Sequence, residues 1–108
     1  MAEIDVIDPS RIEKALALAA KRGPVVASYV FGSQAEGTAD SLSDVDLAIF
    51  VQGAESWGLE ERVEAIVEIQ RLAGDDIDVH FFPATQHANP APASFAAYVM
   101  QHGVPLRG

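Results

Sequence analysis

Apolar residues recur along this chain at two spacings, one typical of helices and one typical of strands. A first helix is predicted from Pro9, because proline suits the first helical turn and apolar residues follow at intervals of three and four. These residues are Ile12, Ala15, Leu16 and Ala19. The Gly23-Pro24 pair ends the helix.

Three later segments, residues 25–31, 44–51 and 76–82, are predicted to be strands. The first is a run of β-branched and aromatic residues, which is typical of a buried strand. In the second strand, one face is apolar throughout, and the other face has acidic residues at its first two positions. One face carries Val45, Leu47, Ile49 and Val51, and the other carries Asp44, Asp46, Ala48 and Phe50.

Two further helices are expected. One is long, begins after a Ser56 cap, ends at Gly74 and turns an apolar stripe inward. This stripe comprises Leu59, Val63, Ile66, Ile69 and Leu72. The other spans residues 94–102, after a connector spaced by prolines. The order αβ(turn)βαβα predicts a small mixed β-sheet packed with helices, in the α+β (α/β) class.

Length and charge narrow the range of functions. A chain of 108 residues predicts a single domain, 1–108. Sixteen acidic and seven basic residues give a formal net charge of −9, so we expect no direct binding to nucleic acid or to anionic membranes. The absence of cysteine excludes thiolate zinc sites and cysteine nucleophiles. A cytoplasmic location is expected, because no signal peptide or membrane-spanning run is evident.

The acidic residues at the second and third strands have no basic residue near them in the sequence. Asp44 and Asp46 share a strand face, roughly 6.6 Å apart, and residues 23–61 contain no Lys or Arg. A third acid, Asp76 or Asp78, lies on another strand. A solvated acidic face is the alternative, but the apolar opposite faces favour carboxylates converging on a hard divalent cation, most naturally Mg²⁺.

Two polar features accompany these acids. Gly32 and Ser33 follow the first strand, where a glycine turn and the amides of a helix start can bind phosphate oxygens. Joined to the acids, this pair predicts a site where a cation bridges carboxylates and a nucleotide's phosphates. His80 shares the face of Asp78 and could orient a metal ligand, but it is interpreted as a partly buried strand residue.

The pattern Gly-Ser, ten residues, Asp-x-Asp on a strand and a third Asp on a later strand resembles a known signature. It is that of the nucleotidyltransferase superfamily related to DNA polymerase β, in its minimal (MNT) branch. Gly32-Ser33, Asp44-x-Asp46 in SDVDLAIFV and Asp78 in DIDVHFF match it, and the resemblance extends over nearly the whole chain. It favours Asp78 over Asp76, because Asp78 lies deeper in the apolar strand.

This resemblance implies a chemistry. The three matching aspartates would be catalytic and would ligate two Mg²⁺ ions bound with ATP, and Asp78 would also help to deprotonate the acceptor hydroxyl. Gly32 and Ser33 would hold the β- and γ-phosphates. The acceptor would attack the α-phosphorus in line and release pyrophosphate, so catalysis would consist of positioning and charge neutralisation.

The resemblance also implies a partner, because minimal members often pair with an all-helical HEPN-type ribonuclease toxin. The expected function is an antitoxin that transfers AMP to a hydroxyl of that toxin. Many relatives carry Arg at the position of Glu36, and this replacement favours an alternative, a binding-only antitoxin with a vestigial nucleotide site. Transfer to a small molecule, as in aminoglycoside-type relatives, is disfavoured because those relatives carry an extra acceptor domain.

Overall fold

The computed structural model of the chain describes residues 9–32 and 45–106. These residues form four α-helices, four strands and one 3₁₀ turn. In chain order they are α1 (Pro9–Ala20), β1 (Val25–Phe31), β2 (Val45–Val51), the 3₁₀ turn (Ala54–Ser56), α2 (Leu59–Ala73), β3 (Ile77–Pro83), α3 (Ala84–Ala88), α4 (Phe95–His102) and β4 (Val104–Pro105). None of the helices in the described residues is long and apolar enough to cross a membrane.

The four strands form one mixed sheet in the order β3-β2-β1-β4. β1 runs antiparallel to both of its neighbours, whereas β2 and β3 run parallel and are joined by α2 as their crossover. This architecture confirms the predicted mixed sheet packed with helices. The short elements α3 and β4 are additions to the predicted order, because segments of five and two residues are too short to show a period.

One face of the sheet packs against α1 and α2. The predicted apolar stripe of α1 is buried as a whole and meets the alternating apolar residues of β2. On this face Leu47, Ile49 and Val51 are fully buried. Burying an apolar side chain of this size contributes about 1.5–3 kcal/mol, so this layer, the larger of the two apolar clusters, stabilises the fold substantially.

The opposite face carries a smaller, aromatic core beneath α4. Phe50 and Phe82 stack with their ring centroids 5.0 Å apart, and Ala96 and Val99 of α4 pack in the same cluster. α4 begins one residue after the predicted start, because Ser94 is its N-cap and its hydroxyl accepts a hydrogen bond from the amide of residue 97. Helix α4 thereby covers the aromatic part of the face that also carries the acidic residues.

The predicted inward stripe of α2 is wrong in most of its members. Ile69 is buried and Ile66 packs partly against the core, but the other three are exposed. The exposed three are Leu59, Val63 and Leu72. The buried face instead follows Ala65, Ile69 and Ala73 at a spacing of four residues. Small alanine side chains allow α2 to approach its neighbours closely, so the larger apolar residues face outward.

The start of α2 also differs from the prediction. Ser56 belongs to the 3₁₀ turn, where its hydroxyl donates a hydrogen bond of 2.8 Å to the carbonyl of Gly53. The helix begins at Leu59 after Gly58, whose amide donates to the Glu61 carboxylate at 2.9 Å. A carboxylate in the first turn thus satisfies a backbone donor that Ser56 was expected to satisfy.

Polar side chains of α2 cover the edge strand β3. Arg62 Nη1 donates to the carbonyl of Phe81 at 2.8 Å, and Gln70 Nε2 donates to the carbonyl of Ile77 at 2.9 Å. No strand pairs with this side of β3 in the described residues. These two hydrogen bonds therefore satisfy carbonyl groups at the sheet edge and tie the helix to it.

Glu68 joins α2 to the end of α1. Its carboxylate lies 3.2 Å from Lys21 Nζ and 3.4 Å from Arg22 Nη2. The hydrogen bond from Lys21 lowers the pKa of Glu68, and Arg22 acts in the same direction against partial desolvation. This junction stays charged to a lower pH than an isolated glutamate would.

Candidate metal centre

The parallel strands β2 and β3 bring Asp46 and Asp78 side by side. The two residues are direct partners in the strand register, so their backbones are about 4.8 Å apart. Both side chains lie on the face of the aromatic core, and they are 29% and 57% exposed. Like charges at this spacing repel each other. A cation between the two carboxylates would remove that repulsion.

His80 lies on the same face, two residues after Asp78. Its Nε2 is 3.5 Å from Asp78 Oδ2 and 3.7 Å from Asp46 Oδ1. One donor atom from each of the three residues lies within 4.8 Å of the other two. Two carboxylate oxygens and one imidazole nitrogen at this spacing are donors that can hold a divalent cation.

The ring of His80 is positioned by aromatic neighbours. Its centroid is 5.2 Å from that of Phe31 and 5.5 Å from that of Phe95. His80 is partly buried, as expected, but its Nε2 is fully buried and has no hydrogen-bond partner in the described part of the chain. The approach of this nitrogen to both carboxylates was not predicted. The spacing of two residues from Asp78 was the available signal.

Gly32 ends β1 next to the acidic pair. Its φ is +77°, in the left-handed region that favours glycine. The preceding residue, Phe31, pairs with Asp46 across β1 and β2, and a Cβ atom at position 32 would collide with Asp46 Oδ2. Glycine therefore permits both the turn and the approach of the carboxylate. Phosphate binding by this turn stays a prediction.

The two candidates for the third carboxylate have different surroundings. Asp76 precedes β3 and forms an ion pair with Arg11 of α1. Arg11 Nε also donates to the carbonyl of Ala73 at 2.7 Å, so this pair ties α1 to the turn before β3. Asp78 lies inside the strand, beside Asp46. The candidate metal centre thus contains Asp78, and Asp76 is occupied in a structural contact.

Two of the predicted site residues, Ser33 and Asp44, lie outside the described residues. The structure describes Gly32, Asp46 and Asp78 and brings these three into one group. The roles of all five in binding phosphate or metal, or in catalysis, stay predictions.

A cavity of about 290 Å³ opens beside the centre, at the edge of β3. His80 forms part of its wall, between Arg62 of α2 and Phe95 of α4. The guanidinium of Arg62 lies over the ring of Trp57, 5.9 Å from its centroid, in a cation–π contact. The cavity therefore combines aromatic surface and one cation next to the candidate metal donors.

Solved structures with a similar fold include one that contains AMP-PNP and two that are classed as nucleotidyltransferases. A chain of a toxin–antitoxin structure with AMP-PNP is 25% identical, with a TM-score of 0.58, and the match covers 89% of this chain and 72% of that chain. A protein classed as a minimal nucleotidyltransferase is 26% identical, with a TM-score of 0.60 and 91% of each chain covered. A third protein, from Sulfolobus solfataricus and classed as a nucleotidyltransferase, is 22% identical, with a TM-score of 0.51. The match covers 73% of this chain and 78% of that chain, and it supports the fold alone.

Sequence comparison assigns the family. No curated protein matches the chain. The family model described as the nucleotidyltransferase domain matches residues 12–98, which include β1, β2, β3 and the acidic pair. The chain therefore belongs to the nucleotidyltransferase domain family.

Proposed function

We propose that the chain is a Mg²⁺-dependent nucleotidyltransferase that transfers AMP from ATP to a protein hydroxyl, acting as antitoxin toward a HEPN-type ribonuclease toxin. The observation that carries the proposal is the in-register pair of Asp46 and Asp78 beside the Gly32 turn. The family supports the reaction class. The similar structure with AMP-PNP, an ATP analogue, supports the nucleotide.

The donors at the centre fit a hard cation. Asp46 and Asp78 offer carboxylate oxygens, which are the ligands that Mg²⁺ prefers. Together with Asp44, whose position on the strand is an expectation from the sequence, they would hold the two ions that we expect. Bound Mg²⁺ would neutralise phosphate charge and polarise the reacting phosphoryl group.

The chain's own residues would position the reactants and move one proton. Gly32 and Ser33 would orient the β- and γ-phosphates so that pyrophosphate leaves in line. The acceptor oxygen would bond to the α-phosphorus as the bond to pyrophosphate breaks. The hydroxyl proton would pass to a carboxylate oxygen of Asp78, the more exposed member of the acidic pair. The cavity walled by His80 offers space where an acceptor side chain could approach the centre.

An exposed apolar patch on α2 supports a protein partner. The patch comprises Leu59, Val63 and Val67, which lie one helical turn apart and are 78%, 47% and 54% exposed. An apolar stripe of this kind suits docking against another helix. We assign it to a toxin partner, because one similar solved structure is that of a toxin–antitoxin. The family resemblance implies that this toxin is helical.

The alternative function is neutralisation of the toxin by contact alone. Glu36, which lies outside the described residues, favours it on the sequence alone, because an acid where many relatives carry Arg removes a possible phosphate contact. The apolar patch of α2 would serve this function equally well. The two functions differ in whether the acidic pair is needed.

Mass spectrometry of the partner separates the two. The product of the gene adjacent to that of this chain is taken as the candidate toxin. Wild type, Asp46→Asn and Asp75→Asn are each incubated with ATP, Mg²⁺ and this purified adjacent-gene product. Asp75 is an exposed acid outside the centre and provides the matched control. The enzyme function requires the partner to gain the mass of one AMP with wild type and with Asp75→Asn, but not with Asp46→Asn. Neutralisation without a mass gain, unchanged by Asp46→Asn, would support contact alone.

A further inference from the structure

His80 presents a buried nitrogen to two carboxylates without bonding to either. A buried polar atom that lacks a partner costs about 1–3 kcal/mol, and folded proteins leave few such atoms unsatisfied. In the described residues, the Nε2 of His80 is a buried side-chain atom in this condition. An ion between the nitrogen and the two carboxylates would give this nitrogen a partner.

The distances at His80 suit a shared ion better than a direct hydrogen bond. Hydrogen bonds from nitrogen to oxygen span about 2.7–3.2 Å, whereas Nε2 is 3.5 Å from Asp78 Oδ2 and 3.7 Å from Asp46 Oδ1. Two ligand atoms bound about 2.1 Å from one cation lie roughly 3.0–3.4 Å apart. Small movements of the three side chains would therefore place them around one ion.

The ring contacts restrict how His80 can move. Phe31 and Phe95 both contact the imidazole, at 5.2 and 5.5 Å between centroids. Its Nε2 therefore faces the carboxylates while the ring stays against aromatic surface. A ligand held in this way loses little conformational entropy when an ion binds.

We propose that His80 is a metal ligand and that the centre prefers a first-row transition dication over Mg²⁺. This inference rests on the proposed function, since it concerns the ion at the same centre. Mg²⁺ strongly prefers oxygen ligands, whereas imidazole nitrogen suits transition metals. The aspartates implied by the family resemblance offer oxygen only, so the nitrogen ligand would distinguish this chain's centre.

Mn²⁺ is the strictest probe of this inference. Among first-row dications it binds sites with nitrogen ligands most weakly, so a preference for Mn²⁺ over Mg²⁺ implies a preference for the others. Mn²⁺ is added to wild type without nucleotide, and pulsed electron paramagnetic resonance records coupling to ¹⁴N. Calorimetry measures the affinities for Mn²⁺ and for Mg²⁺, with and without AMP-PNP. We expect ¹⁴N coupling from a coordinated imidazole and tighter binding of Mn²⁺ than of Mg²⁺.

Three variants complete the test. In His80→Ala we expect the ¹⁴N coupling to disappear and the Mn²⁺ affinity to fall by about tenfold or more, with Mg²⁺ affinity changed by less than about twofold. His80→Asn, which offers an amide oxygen, should keep Mg²⁺ binding and lose the preference for Mn²⁺, and it serves if the alanine variant does not fold. His102→Ala, at an exposed histidine on α4, should match wild type.

The outcomes separate this inference from the proposed function. If Mn²⁺ binds in an Asp46-dependent manner but shows no ¹⁴N coupling, His80 is not a ligand and the proposed function stands. If His80→Ala weakens both ions equally, the metal preference is overturned. If neither ion binds, even with AMP-PNP, both the inference and the proposed function fail.

Discussion

The carboxylate of Asp46 occupies the space that a side chain at position 32 would need. Gly32 turns the chain with a φ of +77°, and a Cβ atom there would collide with Asp46 Oδ2. The end of β1 and the acidic position of β2 therefore depend on each other. A glycine of the family motif thus has a structural reason in this chain, independent of any phosphate.

Gly32→Ala should disturb the candidate centre as well as the fold. A left-handed φ costs a non-glycine residue about 1–2 kcal/mol, and the collision with Asp46 adds to this. Gly53→Ala is the matched control, because Gly53 has a φ of +85° with nothing within 4 Å of an added Cβ. Urea denaturation should show a loss for both variants, and calorimetry should show weakened metal-dependent nucleotide binding for Gly32→Ala only. Equal metal-dependent nucleotide binding by the two variants would contradict a role of Gly32 in positioning the centre.

Asp78→Asn should stabilise the metal-free protein and abolish its response to metal. Removing one of two like charges on paired strands should raise the free energy of unfolding by about 0.2–1 kcal/mol at low ionic strength. The same change removes a carboxylate donor, so the increase in Tm on adding Mg²⁺ and AMP-PNP should be lost. Thermal unfolding with and without these ligands measures both effects. Asp75→Asn, outside the centre, should show neither the gain in stability nor the loss of the Tm increase. If Asp78→Asn still shows a Tm increase with Mg²⁺ and AMP-PNP, the metal centre is contradicted.

Arg11→Met should lower stability without affecting nucleotide binding. Its partly exposed ion pair with Asp76 and its hydrogen bond to Ala73 together should contribute about 1 kcal/mol to the free energy of unfolding. Asp76→Asn should cause a smaller loss and should keep Mg²⁺-dependent AMP-PNP binding, measured by calorimetry. Loss of that binding in Asp76→Asn would mean that the third carboxylate had been assigned to the wrong aspartate.

The junction between α1 and α2 should become weaker in acid. Folding lowers the pKa of Glu68, so its contribution to stability is present above the ordinary value of 4.5 and is lost as the pH falls through the lowered folded value. The stability difference between wild type and Glu68→Gln should therefore be constant near neutral pH and shrink below pH 4.5. Urea titrations across pH measure it, with Glu64→Gln, an exposed glutamate of the same helix, as control. A difference that grows in acid would contradict the assignment.

The apolar patch of α2 should carry affinity for the partner. The variant with Leu59→Ser, Val63→Ser and Val67→Ser should bind the adjacent-gene product more than about tenfold more weakly, because buried apolar anchors dominate protein interfaces. Its AMP-PNP binding should not change. Leu72→Ser, an exposed residue on another side of the same helix, should leave partner affinity unchanged. Surface plasmon resonance measures the affinities. If the partner binds the triple variant as tightly as wild type, it docks on another surface.

The features that depend on neighbouring residues follow from the order of amino acids alone. The α1 stripe, the bounds of β1 and the alternating faces of β2 follow from side-chain periods of 3.6 and 2, which are local properties of the chain. The fixed spacing from Gly32-Ser33 to Asp44-x-Asp46 pointed to the family for the same reason. These residue types occur at a spacing that the sequence displays directly.

The features that depend on distances between remote residues could be read only from the folded chain. α2 turns Ala65, Ile69 and Ala73 inward because close approach to its neighbours favours small side chains, which a pattern of large apolar residues does not reveal. The ion pair of Arg11 and Asp76 joins residues 65 positions apart. The nitrogen of His80 likewise meets two carboxylates only because β2 and β3 are paired in register.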